Sequence, residues 1–464
     1  MKRLCFLLSV LACSAALDVR EIGELQAEVS TQWFIEAVGE PFPYPVTLYG
    51  LAPANDANQR AGVHATTHPF SWRSGDGARM VFEIEVPNRT TVAVSSSVRV
   101  DYEGNSITSP VRYPYPVPPE LANYTRASPL VVITPEIRST ALEIANGSDD
   151  ALEVIARLVE WTYNNVGYDR ELGELNYSSE WVFTHRRGTC DEFAHLFIAL
   201  ARALGLPARF VSGYINTGEE WGIHGWAEVW VPEYGWIPAD PTFNELLVLD
   251  AAHIRLAEAL DQSYVKDTLQ ARGEIGVQLG LNKNYSITIR EVRPFSPRVS
   301  LSLTLPEGDG RSQLVRVRVT NLQNGFVFAP LMLIPPRGVS AEGKGKLAYL
   351  KPLESKEIVW NLWLPELELN NFYTFPVTVK THGTSTNSSF HRVIYAQRAS
   401  SQPEVYGLGT SENIPMTFKL FLMVILVVTI VAVILALWET KGGSVPPSSL
   451  TFPRQRGEVS PLRP

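Results

Sequence analysis

Apolar and polar residues alternate in short runs through the first hundred positions, as in Met80-Val81-Phe82-Glu83-Ile84-Glu85-Val86 and Val98-Arg99-Val100-Asp101-Tyr102, with Gly, Pro and Asn between runs. A period of two sends successive side chains to opposite faces of a sheet, so residues 18–109 are expected to form a β domain. Pro110, Pro114, Pro116, Pro118 and Pro119 follow within ten residues and suit an extended linker over 110–124, with a domain boundary there. The period then becomes helical. Pro135 after Thr134 marks a helix start, and Leu152, Ile155, Val159 and Tyr163 recur at spacings of three and four behind Asp149 and Asp150. Phe193, Leu196, Phe197, Leu200, Ala201 and Leu204 form one apolar face of a further helix, ended by Gly205 and Pro207. Strand-like segments follow at 208–214 and 224–231. Alternation returns over 285–396, clearest in Val299, Leu301, Leu303 and Leu305 and in Val315, Val317 and Val319 interleaved with Arg316 and Arg318. The Glu307-Gly308-Asp309-Gly310 turn between these runs predicts a hairpin in an immunoglobulin-like β-sandwich.

Both ends of the chain have the character of membrane signals. Lys2 and Arg3 precede an apolar run, and Ser14, Ala15 and Ala16 offer a cleavage site, so residues 1–17 are expected to be a signal peptide. Lipoprotein processing at Cys13, behind Val10, Leu11 and Ala12, is a poorer fit to the same segment. Residues 420–438 are apolar apart from Thr429 and as a helix would reach about 28 Å, close to the roughly 30 Å of a hydrocarbon core. One transmembrane helix is therefore expected at 416–438, reached by a polar linker at 397–415. The tail at 439–464 carries Lys441, Arg454, Arg456 and Arg463 against Glu439 and Glu458, which by the positive-inside tendency makes it cytoplasmic and the bulk of the chain extracytoplasmic.

Composition adds exclusions. Among 464 residues, 45% are hydrophobic and 19% charged, which suits several folded units and not a disordered chain. A net charge of −8 without a clustered basic surface gives no electrostatic basis for binding nucleic acid. Asn88, Asn123, Asn146, Asn176, Asn284 and Asn387 each begin an N-glycosylation sequon.

The cysteines carry the first chemical clue. Of three, Cys5 and Cys13 lie in the expected signal, leaving Cys190 without a partner for a disulfide in the mature chain. A lone thiol is often a small buried hydrophobe, but Cys190 stands where a loop enters the helix just described. Orphan N–H groups and the helix dipole at that end favour an anion, which predicts a lowered thiol pKa and makes the Cys190 backbone N–H a candidate oxyanion donor. Among His185, His195, His224 and His253, the second is in the same helix, the last lies on a later helical pattern, and His224 begins a strand. If that strand folds back around Glu233 and Tyr234, Asp240 comes within about three positions of the residue opposite His224, near enough to orient an imidazole. The remaining histidines lack metal-ligand spacing, and no cofactor or metal is expected. Trp181 and Tyr168, before the thiol, and Trp226, beside His224, are candidates for the oxyanion site or the cleft wall. Asp191 and Glu192 suit the first turn of a helix as partners of its dipole.

Four ordered blocks, Arg187-Gly188-Thr189-Cys190, Ala203-Leu204-Gly205-Leu206-Pro207-Ala208-Arg209, His224-Gly225-Trp226-Ala227-Glu228-Val229-Trp230 and Trp236-Ile237-Pro238-Ala239-Asp240-Pro241-Thr242, resemble the transglutaminase-like superfamily, in a membrane-anchored microbial or archaeal form. The resemblance implies a multidomain chain whose central α+β core at 125–275 is papain-like, a nucleophile helix packed on an antiparallel sheet bearing His and Asp. It implies Cys190, His224 and Asp240 as a catalytic triad that attacks peptide or protein amide bonds through a thioester. Hydrolysis and transamidation stay equally open. A catalytically idle binding or structural protein on the same scaffold is the alternative.

Overall fold

The structure, a computed structural model, describes residues 19–393 apart from 39–42, 74–78, 174, 272–277, 306–310 and 369–370. The expected signal peptide, membrane helix, linker at 397–415, cytoplasmic tail and turn at 307–310 lie outside the described residues. Among those described, no helix is long and apolar enough to cross a membrane.

The alternating N-terminal runs form β1 (Ile22–Val38), β2 (Tyr44–Gly50), β3 (Gln59–Thr66), β4 (Ser71–Arg73), β5 (Arg79–Val86) and β6 (Arg89–Asp101). They make two four-stranded sheets, each completed from far along the chain: Gln278–Pro294 pairs with β1, and Thr268–Ala271 pairs with β2. This corrects the expected boundaries, which ended the central core at 275 and opened the C-terminal β domain at 285. A period-two pattern reports which face of a strand is buried and carries nothing about which sheet the strand joins. Strand β1 is long enough to serve two cores. Its Trp33, Ile35 and Ala37 pack with Leu48, Phe82 and Ile84 between the two sheets, whereas Ile22, Leu25 and Val29 join the central core.

Residues 110–124 also differ from expectation. They form no free spacer: the Tyr113 hydroxyl donates to the Leu204 carbonyl at 3.1 Å and the Tyr115 hydroxyl to that of Trp230, strapping the segment across the core. The helices are α1 (Pro135–Ala145), α2 (Ala151–Asn165), α3 (Ser179–His185) and α4 (Cys190–Ala203). Thr134 and Asp150 cap α1 and α2, accepting the N–H groups of Ile137 and Leu152 at 3.2 and 3.0 Å. A two-residue parallel bridge joins β7 (Gly167–Tyr168) to β8 (Arg187–Gly188) immediately before α4. Then β9 (Ala208–Asn216), β10 (Trp221–Val231), β11 (Gly235–Asp240), β12 (Glu245–Leu246) and β13 (His253–Ala259) build an antiparallel sheet in the order β12-β11-β10-β9-β13. Helix α4 is buried along almost its whole length against β9 and β10.

After β14 (Thr268–Ala271) and β15 (Gln278–Pro294), the chain forms β16 (Val299–Thr304), β17 (Ser312–Asn321), β18 (Val327–Ile334), β19 (Ser340–Ala341), β20 (Lys346–Leu350), β21 (Ser355–Trp363), β22 (Phe372–Thr381) and β23 (Thr384–Val393), arranged as two further four-stranded sheets. The expected pairing of the runs around 301 and 317 is present, with Leu301 opposite Val319. Phe326, Phe328, Leu347 and Tyr349 of this unit enter the central core, so all three layers share buried surface.

A buried charge cluster joins the first sandwich to the central sheet. Glu228 on β10 pairs with Arg255 of β13 and accepts from Arg209 of β9 at 2.7 Å, while Arg255 also reaches Asp56 at 3.3 Å and Glu258 at 2.9 Å. Gln59 clamps the Arg255 backbone from both sides, donating to its carbonyl and accepting its N–H at 2.9 Å each. Burial alone would raise the Glu228 carboxyl, but Arg255 and then Arg209 hold it down at about 2 against an ordinary 4.5. A folded-state value below the unfolded one means that this contribution is complete above pH 4.5 and is lost as pH falls toward 2. Glu228→Gln should therefore cost about 3 kcal/mol in denaturant unfolding at pH 7, by removing the buried carboxylate that Arg255 and Arg209 share, and should flatten the loss of stability across that acid window.

Candidate active site

Helix α4 begins at Cys190 because Thr189 and Glu192 close a capping box. The Thr189 N–H and hydroxyl both donate to Glu192 Oε2, at 2.9 and 2.6 Å, so Glu192, expected as a first-turn dipole partner, also caps the helix. The other Glu192 oxygen accepts the Tyr177 N–H at 3.1 Å, tying the loop before α3 to the same helix tip. Cys190 is 8% exposed.

On the sheet, the pairing of Ala227 with Ala239 is the last of the β10–β11 ladder. One further step sets Asp240 across from Trp226, and β-strand alternation puts His224 on the same face. The His224 Nε2 lies 2.6 Å from Asp240 Oδ2. An ionised carboxylate only accepts, so Nε2 carries the proton and Nδ1 is left as the basic nitrogen. The Gly225 N–H, next along the chain, is directed at the Cys190 sulfur. The sulfur is thus set beside the Gly225 N–H, on the residue that adjoins His224, and the His224 imidazole is held by Asp240. Gly225 is required there: a Cβ would overlap the Asp191 carboxylate and the Phe210 ring.

The electrostatics depart from the sequence expectation of a lowered thiol pKa. Burial, and after it the Asp191 carboxylate, pushes the Cys190 thiol well up, with the Gly225 N–H acting the other way. Asp191 is no simple dipole partner. Its Oδ1 stands 3.8 Å from the Cys190 sulfur as acceptor for the S–H, and its Oδ2 takes the Gln262 side-chain amide. Enclosure and the nearby Glu192 raise Asp191 to about 7. Asp240 goes the opposite way: burial would raise it, but His224 and His253 hold it well below the carboxylate range, and its Oδ1 accepts the Thr242 N–H at 2.7 Å.

The three aromatic candidates part company. Tyr168 is 52% exposed on β7, opposite Gly188, and burial of its phenol together with Cys190 and Asp191 raises it to about 12. It stands at the rim of the site. Trp181 stacks between Tyr177 and His185, with ring centres 3.9 and 4.2 Å away. Trp226 is fully buried, 5.8 Å from the His224 ring and edge-on to His253, so it is a floor beneath the imidazole and not a cleft wall; among the described residues its Nε1 has no partner.

His253 was expected on a helical pattern. It begins β13 instead, fully buried, with Nε2 3.1 Å from Asp240 Oδ2 and Nδ1 3.0 Å from both the carbonyl and Oδ1 of Asp250. Its strand has no clean alternation because both faces are covered, so the usual strand signal is missing. His224, Asp240 and His253 bring their donor atoms within 4.8 Å of one another, as do Glu245, Asp250 and His253. In the first cluster the three side chains hydrogen-bond to one another through Asp240, whereas in the second His253 bonds Asp250 and Glu245 bonds the Asp250 N–H and His382.

An uncharacterised Mycobacterium tuberculosis protein is 29% identical over 233 residues, 42% of this chain and 72% of that one. A protein-glutamine gamma-glutamyltransferase of Pseudomonas aeruginosa is 32% identical over 100 residues, 19% of this chain and 14% of that one. Among solved structures, a candidate cysteine protease from Cytophaga hutchinsonii covers 59% of this chain and 94% of its own at 18% identity and a TM-score of 0.43. Residues 138–241, which hold Cys190, His224 and Asp240, match the model of the transglutaminase-like superfamily.

Proposed function

We propose that the protein is an extracytoplasmic thiol acyl transferase acting on peptide or protein amides, with Cys190 as nucleophile, His224 as general base and Asp240 as its orienting carboxylate. The observation that carries this reading is the convergence of the Cys190 sulfur on the Gly225 N–H while His224 is held through Nε2 by Asp240. In the first step, sulfur attacks the substrate carbonyl carbon as its proton passes to His224 Nδ1. The oxyanion is met by the Cys190 backbone N–H and the Tyr168 phenol. Collapse breaks the C–N bond, His224 returns the proton to the departing amine, and a thioester remains. Water then completes hydrolysis, or an amine completes transamidation. Asp240 stays ionised throughout, since its oxygens are saturated by N–H donors.

The resting state is a neutral thiol beside a carboxylate, so proton transfer accompanies attack and does not precede it. That same observation favours a second reading, a binding protein without turnover. An extracytoplasmic location with one membrane helix at 416–438 is part of the proposal; the six sequon asparagines are all exposed, as glycosylation would require.

Purified full-length protein offered labelled glutamine peptides, with and without a primary amine, should release ammonia or cleaved product and incorporate the amine. Cys190→Ala should abolish every channel, and His224→Ala or Asp240→Asn should lower kcat/KM roughly a thousandfold. No turnover in any channel selects the binding reading. Removing the carboxylate beside the sulfur should ease ionisation: Asp191→Asn is expected to lower the thiol pKa by about one unit and speed Cys190 alkylation roughly tenfold near pH 8, followed by peptide mapping. An unchanged rate would mean that Asp191 does not govern the thiol.

A further inference from the structure

Two imidazoles converge on one carboxylate oxygen. His224 Nε2 lies 2.6 Å and His253 Nε2 3.1 Å from Asp240 Oδ2, and their ring centres are 5.3 Å apart. Asp240 can only accept, so both Nε2 atoms carry protons. On its other side, His253 Nδ1 faces the carbonyl and Oδ1 of Asp250, again acceptors only. Both ring nitrogens of His253 therefore bear hydrogen, and the ring is an imidazolium, buried and bracketed by two carboxylates. The electrostatic balance agrees: burial works against the charge, but Asp250 and Asp240 raise His253 well above its ordinary value.

We propose that His253 is a positioning residue for the acyl-transfer site, a fixed cation that holds Asp240 ionised and in plane with His224 so that His224 presents Nδ1 to the thiol. The proposal rests on the function proposed above.

Asp250 is itself held from both sides. Its Oδ1 accepts the Ala252 N–H at 3.0 Å, and its own N–H donates to Glu245 Oε2 at 3.2 Å. Glu245 Oε1 in turn meets His382 Nε2 at 2.7 Å, in the turn between β22 and β23, and that ring stacks on Phe295 at 4.4 Å. The support of the site thus extends into the C-terminal sandwich. The charged and titratable groups facing the paired histidines are Asp240 from β11, Asp250 and Glu245 from the turn and strand beyond it, and Cys190 and Asp191 from α4, whereas the uncharged rings of Trp226 and Phe243 close the remaining sides.

Among the groups hydrogen-bonded directly to the two imidazoles, the wild-type cluster holds Asp240, Asp250 and the His253 imidazolium itself, and His224 works against that net field. Replacing His253 by neutral glutamine removes a positive charge, favours protonated His224, and should move the His224-dependent inflection in Cys190 alkylation up by about one pH unit, with kcat down about tenfold and KM unchanged. Asp250→Asn alone should move the inflection down. The double variant restores the charge count and should return both inflection and kcat most of the way to wild type. A simple packing role would move neither the inflection nor respond to the second substitution. If His253→Gln does not fold, the opposite shift in Asp250→Asn still decides. The proposal is overturned if the inflection stays put in every folded variant, or if the double variant is no better than His253→Gln. His224→Ala separates the two levels: an alkylation profile indifferent to His224 refutes the triad itself, whereas one that needs His224 and ignores His253 and Asp250 refutes only the positioning role.

Discussion

A carboxylate sealed from water and saturated with N–H donors governs the architecture of this site. Asp240 is fully buried, and its two oxygens accept from His224, His253 and the Thr242 backbone. An ion so placed is tolerable only while all those donors stay in register, because leaving one lone pair unmatched in a low-dielectric interior costs far more than the same loss at a surface. Strand β10 must deliver His224, β11 must deliver Asp240, and β13 must deliver His253. The fold around them is largely what keeps those three strand ends together.

The surrounding layers can be read as support for that constraint. Arg255 stands two residues beyond His253, and through Glu228, Asp56 and Gln59 it fixes β13 against both β10 and the first sandwich. On the opposite side, His382 reaches Glu245 from the C-terminal sandwich. Each sandwich thus grips a segment that ends at the Asp240 cluster. Buried ion pairs add little net stability compared with well-packed hydrocarbon, but they penalise any arrangement that misplaces a partner, which suits a site needing fixed geometry. The thiol has a different environment. It sits at a helix tip whose dipole favours an anion, yet enclosure and Asp191 outweigh that influence and leave it protonated.

Local chemistry was the legible part of the chain. Alternation located β5, β6, β16 and β17, and the spacing of Phe193, Leu196, Phe197, Leu200 and Leu204 located the helix behind Cys190. The turn at Glu233 and Tyr234 was enough to bring Asp240 toward His224, since a hairpin is a short-range object whose register follows from its loop. Glu192 was read only as a dipole partner of the first turn, and its capping bonds to Thr189 came from the structure.

By itself, then, the sequence determined which segments are strand or helix, which residue types are chemically able, and which of them a hairpin or helix end brings near each other. Only the tertiary structure decided what depends on partners distant in the chain. It sent β14 and β15 back to the first sandwich, placed the Pro-rich strap on the core, buried Trp226 under the histidine, turned Asp191 onto the sulfur and brought His253 to Asp240. Periodicity records how a residue meets its own element. Charge state and hydrogen-bond partners are set by whatever folds over that element from elsewhere, and no local pattern carries that information.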